Sequence, residues 1–146
     1  MAEQIEILLV EDNASDAELT LHALRRSGLT PSIETVGDGA EAMDFLFRRG
    51  AYAGREGALP KLVLLDLKKP KVGGLEVLQQ VKADPCTRAI PMVVLTSSRE
   101  DSDIAKSYQL GANSYIVKPV DFMKFNEMVR QIGLYWLQLN QPVQFL

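Results

Sequence analysis

Leu62-Val-Leu-Leu-Asp66 joins four large aliphatic residues to a single carboxylate. An apolar run of this length, without alternating polar positions, is typical of a strand buried on both faces of a parallel sheet. Three further short and mostly apolar runs also end in reactive polar residues. They are Ile5–Val10 before Glu11 and Asp12, Met92–Leu95 before Thr96, and Tyr115–Val117 before Lys118. Because ligands bind outside the carboxyl ends of such strands, we expect these polar residues to form one site.

Helical patterns separate the predicted strands, so strand and helix alternate along the chain. Asn13, with Asp16 three residues later, predicts a capping box at the start of the first helix. Asp38 and Glu41 repeat this spacing before a second helix. The predicted last helix begins at Asp121, and its inward stripe comprises Phe122, Phe125, Val129, Ile132, Trp136 and Leu139. The repetition predicts a doubly wound α/β domain with a parallel sheet.

Length and composition indicate one ordinary globular domain. The chain has 146 residues, of which 47% are hydrophobic and 24% charged. We expect a single domain over residues 1–146, with a core of about 5–139 and a tail at 140–146. The net charge of −3 gives no electrostatic support for a nucleic-acid partner. The apolar N-terminal run is too short for a signal peptide or membrane span, and a cytoplasmic protein is expected.

The acidic residues after the first and third strands predict a metal site. Glu11, Asp12 and Asp66 would lie within several ångströms of one another, and crowded like charges raise pKa values. A hard divalent cation relieves that conflict, and oxygen ligands favour Mg²⁺ over Zn²⁺. The competing interpretation is that an acidic residue merely caps the following helix, as Asp12 or Asn13 would.

Asp66 is the predicted nucleophile, because packing of its strand fixes its position. A carboxylate can attack phosphorus to form an aspartyl phosphate. Such transfer depends on positioning and on charge stabilisation, for which Lys118 would supply a cation and Thr96 a hydroxyl donor. The His and Cys content offers neither a histidine cluster nor a thiolate pair as another reactive centre.

Together these residues resemble the receiver domain of two-component response regulators over essentially the whole chain. Thr96 lies thirty residues after Asp66, and Lys118-Pro119 follows twenty-two residues later. The resemblance implies a five-stranded parallel sheet of order 2-1-3-4-5. It also implies that Asp66 accepts a phosphoryl group from the histidine of a sensor kinase. Mg²⁺ would be held by Glu11, Asp12, Asp66 and the backbone carbonyl of Lys68.

The same resemblance assigns a switch to Thr96 and Tyr115, whose hydroxyl and ring would move after phosphorylation. Lys118 would pair with the phosphoryl oxygens, and the Lys118–Pro119 bond would be cis. Lys68 departs from the family pattern, in which this position is often Asn or another polar residue. A backbone carbonyl can still bind a metal whatever its side chain.

Three segments more narrowly resemble the stand-alone regulators associated with bacterial phytochromes. They are residues 95–100, 111–121 and 133–137. This resemblance implies a phytochrome-type sensor kinase as partner and signalling to a downstream protein through protein contacts. We therefore expect a phosphoacceptor that catalyses only its own phosphorylation and dephosphorylation.

The last helix and tail carry more apolar residues than one buried face needs. The extra residues are Met128, Leu134, Tyr135, Leu137, Val143, Phe145 and Leu146. Such a second apolar face favours a homodimer through the last helix and C-terminal tail. The alternative is that these residues cover the edge of the sheet.

Three other functions are compatible with this fold. A phosphatase or phosphotransferase would also use an aspartyl phosphate, but its usual second Asp is replaced here by Lys68. A phosphorylation-independent interaction module would keep the acidic site without using it. A flavin-binding variant is disfavoured because Glu11 and Asp12 place negative charge where a phosphate needs amide donors.

Overall fold

The computed structural model describes residues 5–29, 31–67 and 73–143. Within these ranges the chain forms a parallel sheet of five strands in the order β2-β1-β3-β4-β5. The predicted fold class and strand order are therefore confirmed. No helix in the described ranges is both long and apolar enough to cross a membrane.

Strands and helices alternate as the sequence predicted. The strands are β1 (Ile7–Glu11), β2 (Ile33–Val36), β3 (Leu62–Asp66), β4 (Met92–Thr96) and β5 (Ser114–Val117). The helices are α1 (Ala14–Arg26), α2 (Gly39–Phe47), α3 (Gly74–Ala83), α4 (Asp101–Gln109) and α5 (Phe122–Gly133). A short 3₁₀ turn spans Gly50–Tyr52, and α5 continues into a π-helical segment over Leu134–Leu139.

Helices cover both faces of the sheet and give it two apolar cores. Residues at alternate positions of β1 and β3 pack against α1 and α5, with Leu9 and Leu64 among them. The intervening positions, such as Leu8 and Leu65, pack with residues of α2 and α3. Because β1, β3 and β4 are buried on both faces, their side chains are apolar without alternation.

The strand register brings the polar strand ends together. Glu11 of β1 is aligned with Asp66 of β3, and Asp66 is aligned with Leu95 of β4. Thr96 follows Leu95 and is aligned with Val117 of β5. Strand pairing therefore places Glu11, Asp66 and Thr96 at the carboxyl ends of neighbouring strands.

The predicted caps of two helices are present, but two residues of the last helix that were expected to be buried are exposed. Asn13 and Asp38 both cap helices, since their side chains accept from the amides of Asp16 and Glu41. At the last helix, Phe122 and Leu139 were expected to point inward, but they are 55% and 69% exposed. That expectation was wrong: the residues of this segment that pack with α1 and the sheet lie between these two, among them Phe125, Val129 and Ile132.

Candidate functional site

A buried ion pair lies at the centre of the strand-end cluster. Asp66 is 0% exposed, and its Oδ1 is in direct contact with the ammonium group of Lys118. The same ammonium lies 3.8 Å from Oε2 of Glu11. Alternation along the strands explains this grouping. Glu11 and Asp66 lie two positions after Leu9 and Leu64, which pack with α1 and α5, and Lys118 lies two positions after Ile116, which packs against the same core.

Helix α1 adds two side chains to this cluster. The Asp16 carboxylate lies 3.9 Å from Lys118 Nζ. One turn later, the hydroxyl of Thr20 lies 2.8 Å from Asp66 Oδ2, to which it donates a hydrogen bond. Each carboxylate oxygen of Asp66 thus has its own partner among the described residues, Lys118 on Oδ1 and Thr20 on Oδ2.

Glu11 is held by the start of α1. Its Oε1 accepts from the Asn13 amide at 2.9 Å. The predicted capping box is therefore altered: Asn13 caps the helix, but its own amide is satisfied by Glu11. The carboxylate of Asp16 approaches Lys118 instead, because that cation lies within reach of the first turn of α1.

Burial and crowding shift the charges of the cluster. Burial, followed by hydrogen bonding and repulsion from Asp66 and by the nearby Asp12, raises the pKa of Glu11 to about 9. Burial alone would lower the pKa of Lys118, but the carboxylates of Asp66, Glu11 and Asp16 raise it above its ordinary value. The predicted like-charge conflict is therefore present at Glu11, and Lys118 is firmly cationic.

The predicted metal ligands are only partly gathered. In the described ranges, no group of three or more His, Cys, Asp or Glu side chains is arranged to hold a metal ion. Asp12 is exposed at the surface, and Lys68 lies outside the described residues. Among the described residues, the buried Oε2 of Glu11 has no hydrogen-bond partner, and its contact with the Lys118 ammonium is a long ion pair of 3.8 Å. A buried carboxylate oxygen without a hydrogen bond, next to Asp66, suits a cation. The predicted ligands are all oxygen atoms, which Mg²⁺ prefers.

The predicted switch residues form a second cluster. Thr96 is 0% exposed, and its Oγ1 accepts from the Ser98 amide at 3.2 Å. The Tyr115 hydroxyl donates to the Ser98 carbonyl at 3.1 Å. Ser98 is tied to α4 as well, since its hydroxyl donates to Asp103 at 2.6 Å. Thr96 and Tyr115 are therefore linked through the loop between β4 and α4.

The peptide bond before Pro119 differs from the one implied by the family resemblance. The structure has no cis bond among its described residues, so Lys118–Pro119 is trans and the expected cis bond was wrong. Trans is the intrinsically favoured isomer before proline. The Lys118 amide donates to the Thr96 carbonyl at 2.7 Å, which directs the lysine towards Asp66.

A cavity connects the buried carboxylate to the surface. It has a volume of about 190 Å³ and lies between α1 and the segment joining β5 to α5. Asp16, Asp66 and Lys118 are its charged lining residues, and Leu19 and Phe122 are among its apolar ones. Its size suits a phosphoryl group rather than a large cofactor.

Thr20, Asp16 and Ser98 were not among the predicted site residues. A threonine on the apolar stripe of a helix is a weak signal, because it most often bonds to the carbonyl one turn earlier. Thr20 does make that bond, to the Asp16 carbonyl at 3.0 Å. Its approach to Asp66 depends on how α1 lies across the sheet, which no local pattern specifies.

Comparison with known families gives a match over most of the chain. The family described as the response regulator receiver domain matches residues 7–130. That range contains Glu11, Asp12, Asp66, Thr96 and Lys118. The residues brought together by the sheet therefore all lie within the matched region.

Two curated relatives cover nearly the whole chain. The probable methanogenesis regulatory protein FilR2 of Methanothrix harundinacea is 47% identical over 135 residues, 92% of this chain and 85% of that protein. The response regulator Rcp1 of Synechocystis is 39% identical over 132 residues, 90% of this chain and 88% of that protein.

Solved structures agree with the fold. The phosphorylated cyanobacterial phytochrome response regulator RcpA has a TM-score of 0.87 at 39% identity, covering 97% of this chain and 100% of that one. The Mn²⁺-bound form of Rcp1 has a TM-score of 0.85 at 36% identity, covering 96% and 99%. These similarities extend over the strand ends that carry the site.

The raised pKa of Glu11 predicts that stability falls with rising pH. Because folding raises this pKa from 4.5 to about 9, the folded state binds the proton more tightly. The contribution of this bound proton to the free energy of unfolding is complete below pH 4.5 and is lost as the pH rises towards 9. Without divalent cations, we expect the free energy of unfolding to decrease across this interval, as measured by urea denaturation.

Glu11→Gln removes the titrating group and should flatten this dependence, whereas the exposed control Glu76→Gln should retain it. An unchanged pH dependence in Glu11→Gln would show that the shifted proton lies elsewhere.

Proposed function

Because the chain belongs to the response regulator receiver family, whose general function is to accept a phosphoryl group, we propose that Asp66 is its acceptor. The observation that carries this proposal is the buried contact between Asp66 Oδ1 and the Lys118 ammonium. This contact places a nucleophilic oxygen beside a cation that can bind phosphoryl oxygens. Both residues line a cavity that is open to a phosphoryl donor.

In the proposed reaction, an oxygen of Asp66 attacks the phosphorus of a phosphohistidine. An oxygen–phosphorus bond forms, the nitrogen–phosphorus bond breaks, and the leaving nitrogen takes the electron pair. Lys118 would then exchange its contact with the carboxylate for one with the phosphoryl oxygens. Receivers are signalling proteins, and we propose that the only reactions catalysed here are phosphorylation and dephosphorylation of the chain itself.

Members of the family use a divalent metal, and we propose Mg²⁺ for this chain. The ligands would be Glu11, Asp12, Asp66 and the backbone carbonyl of Lys68. Oε2 of Glu11, which has no hydrogen bond among the described residues, supports this set, as does the Mn²⁺ bound by Rcp1. When bound, the ion supplies positive charge that offsets the charge developing on the transferred group.

Thr96 and Tyr115 are proposed to report phosphorylation. Movement of the Thr96 hydroxyl towards the phosphoryl group would break its bond with the Ser98 amide. Because the Tyr115 hydroxyl is bound to the same Ser98, the loop and the face of α4 would respond together.

Labelling with a small phosphodonor tests the acceptor directly. With acetyl phosphate and Mg²⁺, we expect the protein to gain an acid-stable, base-labile phosphoryl group, detected by mass spectrometry. Asp66→Asn should abolish the label because an amide is not a nucleophile towards phosphorus, and chelation of Mg²⁺ should abolish it in the unmodified protein.

The matched control is Asp101→Asn, which removes an exposed carboxylate at the start of α4 and should be labelled normally. Full labelling of Asp66→Asn would refute the assignment. Failure of the unmodified protein to take up phosphate would favour the phosphorylation-independent interaction module.

The family implies a sensor histidine kinase as partner, and we propose that the kinase is of the phytochrome type. The similarity to RcpA, a phytochrome response regulator, supports this choice. A kinase donor that uses cellular ATP would place the reaction in the cytoplasm.

Direct competition among phosphorylated sensor kinases should show fastest transfer from a phytochrome-type kinase. Equal or slower transfer from that kinase would contradict the proposal.

We further propose that residues 1–146 form one receiver domain, with core about 5–139 and tail 140–146, that pairs through its last helix and tail. Tyr135, Leu139 and Val143 support this surface, being 49%, 69% and 57% exposed. Of the other apolar residues expected there, Met128 and Leu137 instead pack against the core, and Phe145 and Leu146 lie outside the described residues. A phosphorylated dimer would then act on a downstream protein by contact alone.

Sedimentation equilibrium should show a dimer that Leu139→Lys dissociates, because the substitution buries a charge in an apolar interface. Leu19→Lys changes an apolar residue that is 44% exposed on α1 and serves as the control, which should remain dimeric. A monomeric unmodified protein would refute the proposed pairing.

A further inference from the structure

Thr20 places a hydroxyl in an otherwise apolar contact between α1 and the sheet. The residue is 0% exposed, and the buried neighbours on its helix include Ala17, Ala23 and Leu24. A hydroxyl in such surroundings is costly unless it has a hydrogen-bond acceptor. The identity of that acceptor therefore indicates what the hydroxyl does.

Two acceptors lie within reach of the single hydroxyl hydrogen. They are the Asp16 carbonyl at 3.0 Å and Asp66 Oδ2 at 2.8 Å. The bond to Asp16 would satisfy a buried threonine in any helix. It does not explain the approach to Asp66, which lies 46 residues away in the chain. Because the carboxylate is charged and closer, it is the stronger acceptor.

The two donors distinguish the oxygens of Asp66. The terminal torsion of an aspartate is broad, so a carboxylate without partners can rotate. Here Lys118 contacts Oδ1 while Thr20 holds Oδ2 from the side of α1. The cavity that leads to the carboxylate is also lined by Lys118. Thr20, by contrast, does not line that cavity. This difference favours Oδ1, the oxygen beside Lys118, as the one nearer to an incoming phosphoryl group.

We propose that Thr20 is a positioning residue for phosphoryl transfer, whose hydroxyl fixes Oδ2 of Asp66 so that Oδ1 is the attacking oxygen. This inference rests on the proposed function of Asp66. With acetyl phosphate, Oδ1 forms the new bond to phosphorus while the bond from phosphorus to the acetate oxygen breaks. Acetate leaves with the electron pair. Oδ2 becomes the carbonyl oxygen of the acyl phosphate and still accepts from Thr20, which loses no proton.

Two substitutions separate this role from packing. Thr20→Val replaces the hydroxyl with a methyl group of similar size, so it fills the same space without the donor. Thr20→Ser keeps the donor but leaves a gap where the methyl group was. A packing role predicts that Ser is the more harmful change, whereas a positioning role predicts that Val is.

The experiment measures the rate of labelling by acetyl phosphate with saturating Mg²⁺, alongside the thermal midpoint of each variant. We expect Thr20→Val to be labelled about ten-fold more slowly, since a hydrogen bond to a charged group is lost. Thr20→Ser should be labelled within about two-fold of the unmodified rate, despite a lower thermal midpoint, because the donor to the charged group remains.

Labelling of Thr20→Val at the unmodified rate would overturn the inference, as would equal slowing of both variants. The unmodified protein and Asp66→Asn are run in parallel. An unlabelled unmodified protein, or a labelled Asp66→Asn, would refute the proposed acceptor itself, which separates that failure from a failure of the Thr20 inference.

Discussion

The register that sets Glu11 beside Asp66 creates the charge conflict on which the rest of the site depends. Two buried carboxylates cannot both remain ionised without compensation. The compensation comes from a proton on Glu11, from the ammonium group of Lys118, and from neutral hydrogen-bond donors of Asn13 and Thr20. A bound cation or phosphoryl group would change each of these contacts. The charge conflict would therefore make the contacts around Asp66 sensitive to binding.

The sheet separates the proposed acceptor, Asp66, from the residues proposed to report on it. Glu11, Asp66 and Lys118 each lie two positions after a residue that packs with α1 and α5, whereas Tyr115 packs with the opposite core. The two clusters are joined along the strand ends, because the Lys118 amide donates to the Thr96 carbonyl. A change around Asp66 thus has a short covalent and hydrogen-bonded route to the loop at Ser98, and from there to α4.

The buried pair of Asp66 and Lys118 is better explained by the proposed phosphoryl transfer than by stability. Removing two charges from water is expensive, and apolar residues of similar size often serve a fold equally well. Removing only one partner leaves an uncompensated buried charge, which typically costs about 3–5 kcal/mol. A phosphoryl group that binds Lys118 in place of the carboxylate would keep the ammonium paired with a negative charge. The pair therefore suits exchange between the unphosphorylated and phosphorylated states of Asp66.

The sequence by itself determined the strands and the chemistry at their ends. Unbroken apolar runs such as Leu62–Leu65 identify buried parallel strands, and parallel strands necessarily place their following residues at one edge. The spacing of Asp66, Thr96 and Lys118 then sufficed to identify the family, which the match over residues 7–130 confirms.

Only the tertiary structure decided which side chains meet. Thr20 reaches Asp66 because of the way α1 docks on the sheet, and Ser98 links Thr96 with Tyr115 because of the path of one loop. Strand and helix periods repeat within a few residues, so they specify which face a residue occupies but not what docks against that face from far along the chain.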